Sequence, residues 1–200
     1  MQGYYDRLSD AAGIRVLALN WFDGARHMIG SAPYPNPSDL QGVLMRVPPV
    51  DTWVRTFEPL GVVPTTVEAA EVYSALAQGV VSAAESPLTG LRASRWYEVA
   101  QHITETAHFN LFTGWVMSAA TFDALDDADR AILLEEFREG GRELTARSEA
   151  LAGEIRAEFE AAGVTFHAAD LEAYRTATTS FYDSMPEGLF EQVRAAASGE

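Results

Sequence analysis

Neither cysteine nor lysine occurs in this chain. Without cysteine there is no disulfide, no thiolate metal site and no thiol nucleophile, and the redox compartment stays open. Without lysine, every one of the 14 basic residues is an arginine, a bias that a GC-rich genome explains without any functional reason. Positive charge is itself in short supply: against those 14 stand 29 acidic residues, for a formal net charge of −15. That balance argues against nucleic acid or an anionic membrane as partner, because both need a basic footprint. An anionic ligand would have to be met by arginines placed locally. No apolar run approaches the ~20 residues of a membrane span. Residues 1–7 have neither a basic nor an apolar leader region, so the chain as written reads as unexported. Phosphate-cradling glycine motifs, internal repeats and low-complexity tracts are missing too. What is present is 200 residues, 48% of them hydrophobic, enough for a core in one large or two small domains.

The pattern along the chain alternates strand and helix. Ile14–Leu19 reads as a strand buried on both faces. A Pro/Gly-rich stretch from Gly30 to Pro37 leads to a short helical turn at Ser38–Leu40 and a buried strand over Val43–Val47. Val50–Leu60 sets Val50, Trp53, Val54, Phe57 and Leu60 on one helical face and stops at Gly61. A brief strand at Val62–Val63, a helix over Glu71–Gln78 closed by Gly79, a strand over Val80–Ala84 and a helix over Leu88–Arg95 follow. Two further extended segments lie around Ile103 and over Phe112–Met117. The longest helical pattern spans Asp126–Ala162, with Asp126 as N-cap and Asp129 in the first turn, where the helix dipole favours acid. Its apolar residues Ile132, Leu133, Phe137, Leu144, Leu151, Ile155 and Phe159 form a broken stripe, and Gly140-Gly141 weakens its middle. Val164–Phe166 reads as a strand, Asp170 caps a last helix through Ser180, and 195–200 reads as a frayed tail. Such alternation predicts an α/β fold with a largely parallel sheet covered by helices.

Arg46 is the residue this pattern singles out. It stands at the carboxyl end of a short apolar strand, where open α/β sheets place their ligand crevices, and Pro48-Pro49 removes two donors and ends the pairing. A planar, permanently charged guanidinium suits bidentate capture of a carboxylate. The alternative is an arginine paired with a neighbouring acid at a strand end.

The surrounding residues run Asp39-Leu40-Gln41-Gly42-Val43-Leu44-Met45-Arg46-Val47-Pro48, then Glu71-Val72-Tyr73-Ser74-Ala75-Leu76-Ala77-Gln78-Gly79-Val80-Val81, then Glu85-Ser86-Pro87-Leu88. In order and spacing they resemble the blocks D-L-x-G-x-x-x-R-V-P, E-V-Y-x-A-L-x-x-G-x-V and E-N-P-L of the solute-binding proteins of TRAP transporters, the DctP-like family. The resemblance runs from Gly13 to about Met185. It implies a two-lobed, periplasmic-binding-protein-like α/β fold with hinge strands and one long lobe-spanning helix, the first lobe being incomplete here. On that reading residues 1–23 are a hinge strand and remnant of the first lobe, and 24–111 the second lobe. Residues 112–151 return to the first lobe and begin the long helix, and 152–195 complete the second lobe. The implied function is capture, without catalysis or cofactor, of a small organic carboxylate by an arginine in an inter-lobe cleft. The parent protein would be periplasmic, monomeric, and would hand its ligand to membrane permease subunits. Half of the site would then lie outside this chain.

The resemblance also implies the supporting residues. Arg26 matches an arginine that makes a second contact or orients the first. Ser86 replaces an asparagine that assists the ligand, exchanging an amide for one hydroxyl, and Glu85 beside it is expected to face the same crevice as Arg46 or to pair with an arginine. Ala69 stands at a position that is often aromatic, so both changes point to a roomier pocket. His108 matches a histidine near the cleft mouth. Trp21 and Phe22, beside the hinge, are candidate walls, whereas Trp53, Trp96 and Trp115 read as core. Two other classes stay in view: a ligand-sensing module on the same fold, and a self-association protein built on the long helix. Enzyme readings fail. Ser86 precedes a proline and sits in no G-x-S-x-G elbow. In an extended segment Glu105 points away from His102 and His108, which weakens a zinc site there.

Overall fold

The computed structural model of the chain describes residues 11–183, together with Ser9, Met185, Gly188, Glu191 and Ala195. In chain order its strands and helices are β1 (Ile14–Phe22), β2 (Arg26–Gly30), β3 (Leu44–Val47), α1 (Asp51–Phe57), β4 (Val63–Thr66), α2 (Val72–Ala77), β5 (Ala83–Pro87) and α3 (Leu88–Ala93). They continue with β6 (His102–Phe109), β7 (Phe112–Ser118), α4 (Ala119–Asp123), α5 (Asp127–Ala161), β8 (Thr165–Ala168), α6 (Leu171–Ala177) and α7 (Thr179–Asp183). The alternation expected of an α/β chain is therefore present. The tail residues 196–200 and the leading residues 1–7 lie outside the described set.

The described residues divide into two compact units. The first holds the chain up to Arg26, Pro87–Thr89 and Ala107–Ala157; the second holds His27–Ser86, Gly90–Thr106 and the chain from Glu158 on.

The second unit is built on a six-stranded sheet in the order β4-β3-β5-β2-β6-β8. β3 lies parallel to both β4 and β5, and β6 parallel to β8. Parallel strands need cover on both faces, and the sheet's residues show it: Met28, Ile29, Met45, Val47, Ala83, Ala84 and Ile103 are all fully buried. Phe57 at the end of α1, Leu40, Leu91 and Phe159 close the core around them. Each such side chain contributes roughly 1.5–3 kcal/mol by leaving water. α1 and the 3-10 turn Glu58–Leu60 occupy the stretch predicted as one helix, and Gly61, at φ 76°, ends it in the left-handed conformation. The predicted strand Val80–Ala84 is corrected: pairing begins at Ala83 and runs through Ser86 to Pro87, while Val80 is exposed. An apolar run marks what is buried, but backbone partners decide where a strand starts.

In the first unit β1 pairs antiparallel with β7, Ile14 opposite Ser118 and Phe22 opposite Phe112, with irregularities on either side of Ala18. β1 is longer than predicted and only partly covered, Leu17 and Ala18 being its buried residues. Asp126 caps α5 as expected, its Oδ1 accepting from the Asp129 N–H at 2.8 Å. The Gly140-Gly141 pair is explained by its neighbours. A Cβ on Gly140 would lie 3.0 Å from the Trp21 ring and one on Gly141 2.5 Å from the Asn20 amide. Those two β1 side chains donate into the helix, Trp21 Nε1 to Phe137 O at 2.9 Å and Asn20 Nδ2 to Arg138 O at 2.8 Å. The glycines thus admit a strand against the helix backbone.

Candidate functional site

Three adjacent parallel strands bring their carboxyl ends to one edge of the second unit: β3 at Arg46-Val47, β4 at Thr66 and β5 at Ser86-Pro87. Arg46 is only 5% exposed, so its charge sits largely out of water. Its Nε donates to Val67 O at 2.9 Å, just past β4, which pins one edge of the guanidinium to the neighbouring strand. Its Cζ stands 6.0 Å from the centroid of the buried Trp96 ring, at the outer range of a cation–π contact. The Val67 contact also carries the chain towards Ala69, which opens the 3-10 turn Ala69–Glu71 and is exposed.

Glu85 and Ser86 are both buried, at 0% and 8% exposure. They belong to β5 itself, so their side chains leave opposite faces of the strand. Met45 opposes Ala83, which puts Ala84 and Ser86 on the face of Arg46 and Glu85 on the other. Adjacency in sequence suggested that Glu85 and Ser86 face one crevice; strand alternation separates them. On its own face the Glu85 Oε1 accepts from Trp53 Nε1 of α1 at 3.0 Å. A buried carboxylate costs free energy unless hydrogen-bonded, and this indole donor offsets part of that cost.

The other predicted site residues fall in the first unit. Trp21, held by Phe137 O, stands edge-on to Trp115 at 5.7 Å between ring centroids. Phe22 stacks on Phe112 at 5.2 Å, so both aromatics pack β1 on β7. Arg26 opens β2 half-buried, and the His108 ring lies 5.0 Å from that of Phe109 near the end of β6. Just before His108, Ala107 takes φ 44°, the left-handed region, where the chain passes from the second unit to the first. Strict alternation along this segment therefore fails, and His102 and His108 lie in different units.

Sequence reasoning missed Asp23. Its Oδ1 accepts from the buried Ser148 hydroxyl at 2.7 Å and its Oδ2 from Thr89 Oγ1 at 2.8 Å. One carboxylate thus joins three separate stretches of the first unit. The Asp23-Gly24 turn signal, with Gly24 at φ 97°, was the only local trace of it. Trp96 and the Val67 carbonyl left no trace at all, because both reach Arg46 only through the fold.

A two-unit α/β architecture with a mostly parallel sheet and one long helix is the fold of the periplasmic solute-binding proteins that the chain resembles. The chain belongs to the family described as bacterial extracellular solute-binding protein, family 7 (DctP), whose model matches residues 1–188. It is 28% identical over 195 residues to the C4-dicarboxylate-binding periplasmic protein DctP of Rhodobacter capsulatus, covering 94% of this chain and 57% of that protein. To the sialic acid-binding periplasmic protein SiaP of Vibrio cholerae it is 25% identical over 192 residues, 96% of this chain and 60% of the relative. Among solved structures, the TRAP periplasmic solute-binding protein of Fusobacterium nucleatum with bound sn-glycerol-3-phosphate matches with TM-score 0.92 and 28% identity, over 99% of this chain and 65% of that one. That of Actinobacillus succinogenes with bound L-galactonate matches with TM-score 0.91 and 25% identity, over 100% and 67%. The chain thus spans less than two thirds of the length of the first curated relatives it matches.

Proposed function

We propose that the parent protein captures a small organic acid, with Arg46 receiving the acid group, and delivers it from the periplasm to the membrane permease subunits of a TRAP transporter. The observation that carries this reading is the burial of Arg46 where three parallel strand ends meet. The Arg46 Nε donates to Val67 O, which fixes the plane of the guanidinium, and a carboxylate matches a guanidinium fork in shape and charge. Ser86, on the same face, adds a hydroxyl, and the small side chains of Ser86 and Ala69 suit a bulky ligand such as a sugar acid. Glu85 orders α1 through Trp53 and takes no part in the contact. Arg26 is proposed as a second contact or orienting charge, and His108 as a residue near the ligand. No bond is made or broken.

Support comes from what similar proteins hold. One from Ochrobactrum anthropi, 26% identical, has bound L-fuconate, and the Actinobacillus protein has L-galactonate. The Fusobacterium protein has a phosphate ester, also an anion. An arginine fork serves both carboxylate and phosphate.

Thermal-shift screening of the parent-length protein tests the reading, using small carboxylates beside their neutral amides, for wild type and Arg46→Ala. Stabilisation by an acid and not by its amide, lost in the variant, is the expected result. Shifts indifferent to Arg46 would leave the family fold without organic-acid capture, and a sensing or assembly role would take its place.

A further inference from the structure

β8 is an edge strand of the second unit, and its register on β6 sets His102 opposite Thr165 and Thr104 opposite His167. Partners across a parallel pair share a face, and so do residues two apart on one strand. His102 and His167 are therefore diagonal neighbours on one face. Their side chains meet, with His102 Nδ1 3.1 Å from His167 Nε2 and the ring centroids 5.3 Å apart. Both rings are half-buried, so one side of the pair is open to solvent.

We propose that His102 and His167 form a two-histidine clamp for a divalent transition-metal ion, Zn²⁺ or Cu²⁺, that ties β8 to β6. Imidazole nitrogens bind Zn²⁺ at ~2.0–2.1 Å, so a separation of 3.1 Å corresponds to an N–metal–N angle of about 100°, between square and tetrahedral. Among the described residues no group of three or more His, Cys, Asp or Glu is set to hold a metal, so water completes the shell. That makes the site exchangeable, unlike a closed structural zinc site. The alternative, a pair that only shares a proton, needs no metal and gains nothing from one. The clamp is independent of Arg46 and of the capture reading.

Isothermal titration of ZnCl₂ into the chain, in excess MgCl₂ to occupy surface carboxylates, tests it. The expected result is a saturable site of one ion per chain, abolished in His102→Gln and in His167→Gln and retained in His27→Gln and His108→Gln. Copper binding should show two nitrogen donors by electron paramagnetic resonance. Circular dichroism checks the fold of each variant; should a change at position 102 unfold the chain, His167→Asn at the sheet edge carries the test. No saturable binding, or binding that survives both the 102 and 167 substitutions, would overturn the proposal.

Discussion

A guanidinium that is 5% exposed has been stripped of most of its water, and whatever holds it must replace those hydrogen bonds. The Val67 carbonyl and the Trp96 ring do part of this and set the plane of the group. Lysine at this position would keep the charge but lose the Nε donor and the fork, so Arg46→Lys should impair capture nearly as much as Arg46→Ala. That Arg46 stands near the end of a short buried strand was legible in the sequence, because a strand, two prolines and a charge stand side by side. Its supports were not, since Val67 and Trp96 lie 21 and 50 positions away and only the parallel register brings β4 to β3. Glu85 shows the same limit from the other direction: its neighbour Ser86 is nearest in sequence, yet Trp53 is its partner in space. Trp53→Phe keeps the bulk of the side chain and removes a donor to a buried carboxylate. Chemical denaturation should show a loss of about 1–3 kcal/mol; an unchanged midpoint would mean the indole hydrogen bond contributes nothing net.

Helices and strands fix where such residues can stand, and the glycines of α5 show how local propensity yields to packing. A glycine in a helix interior costs about 1 kcal/mol relative to alanine. Gly153 has open space around its missing Cβ, so Gly153→Ala should raise stability by up to about that amount. Gly140→Ala and Gly141→Ala gain the same propensity but push against Trp21 and Asn20, whose hydrogen bonds to Phe137 and Arg138 they would displace. Thermal melts should therefore move in opposite directions for the two classes of substitution. Equal stabilisation at all three positions would show that β1 does not press on the helix there. The sequence showed that the glycine pair weakens the helix; the strand it admits came only from the fold. Asp23 ties Ser148 of α5 to Thr89 at the start of α3, and Asp23→Ala leaves both hydroxyls to find new partners. A loss of about 1–3 kcal/mol is expected, with Ser148→Ala alone costing less because Thr89 keeps its acceptor.

Fold class was readable because strand and helix alternate with strong apolar contrast, and the long helix because its N-cap and first-turn acid mark its start. Strand limits were less readable. β5 was shifted by three residues at each end, since burial without alternation gives no register. β7 was placed correctly although Phe112, Trp115 and Val116 are all exposed; its apolar character did not predict burial within this span. The relatives it matches are longer than this chain. On the proposed capture of an organic acid, the charge of −15 is the background against which that anion is drawn in, and a locally placed arginine matters more than the total. Isothermal titration of the parent-length protein with the best acid from the thermal screen, for wild type and Arg46→Ala side by side, tests this most directly. Losing one partner of a desolvated charge pair costs about 2–5 kcal/mol, so affinity should fall by roughly 30-fold or more. Equal affinity in the two proteins would contradict the assignment of Arg46 as the residue that takes the acid group.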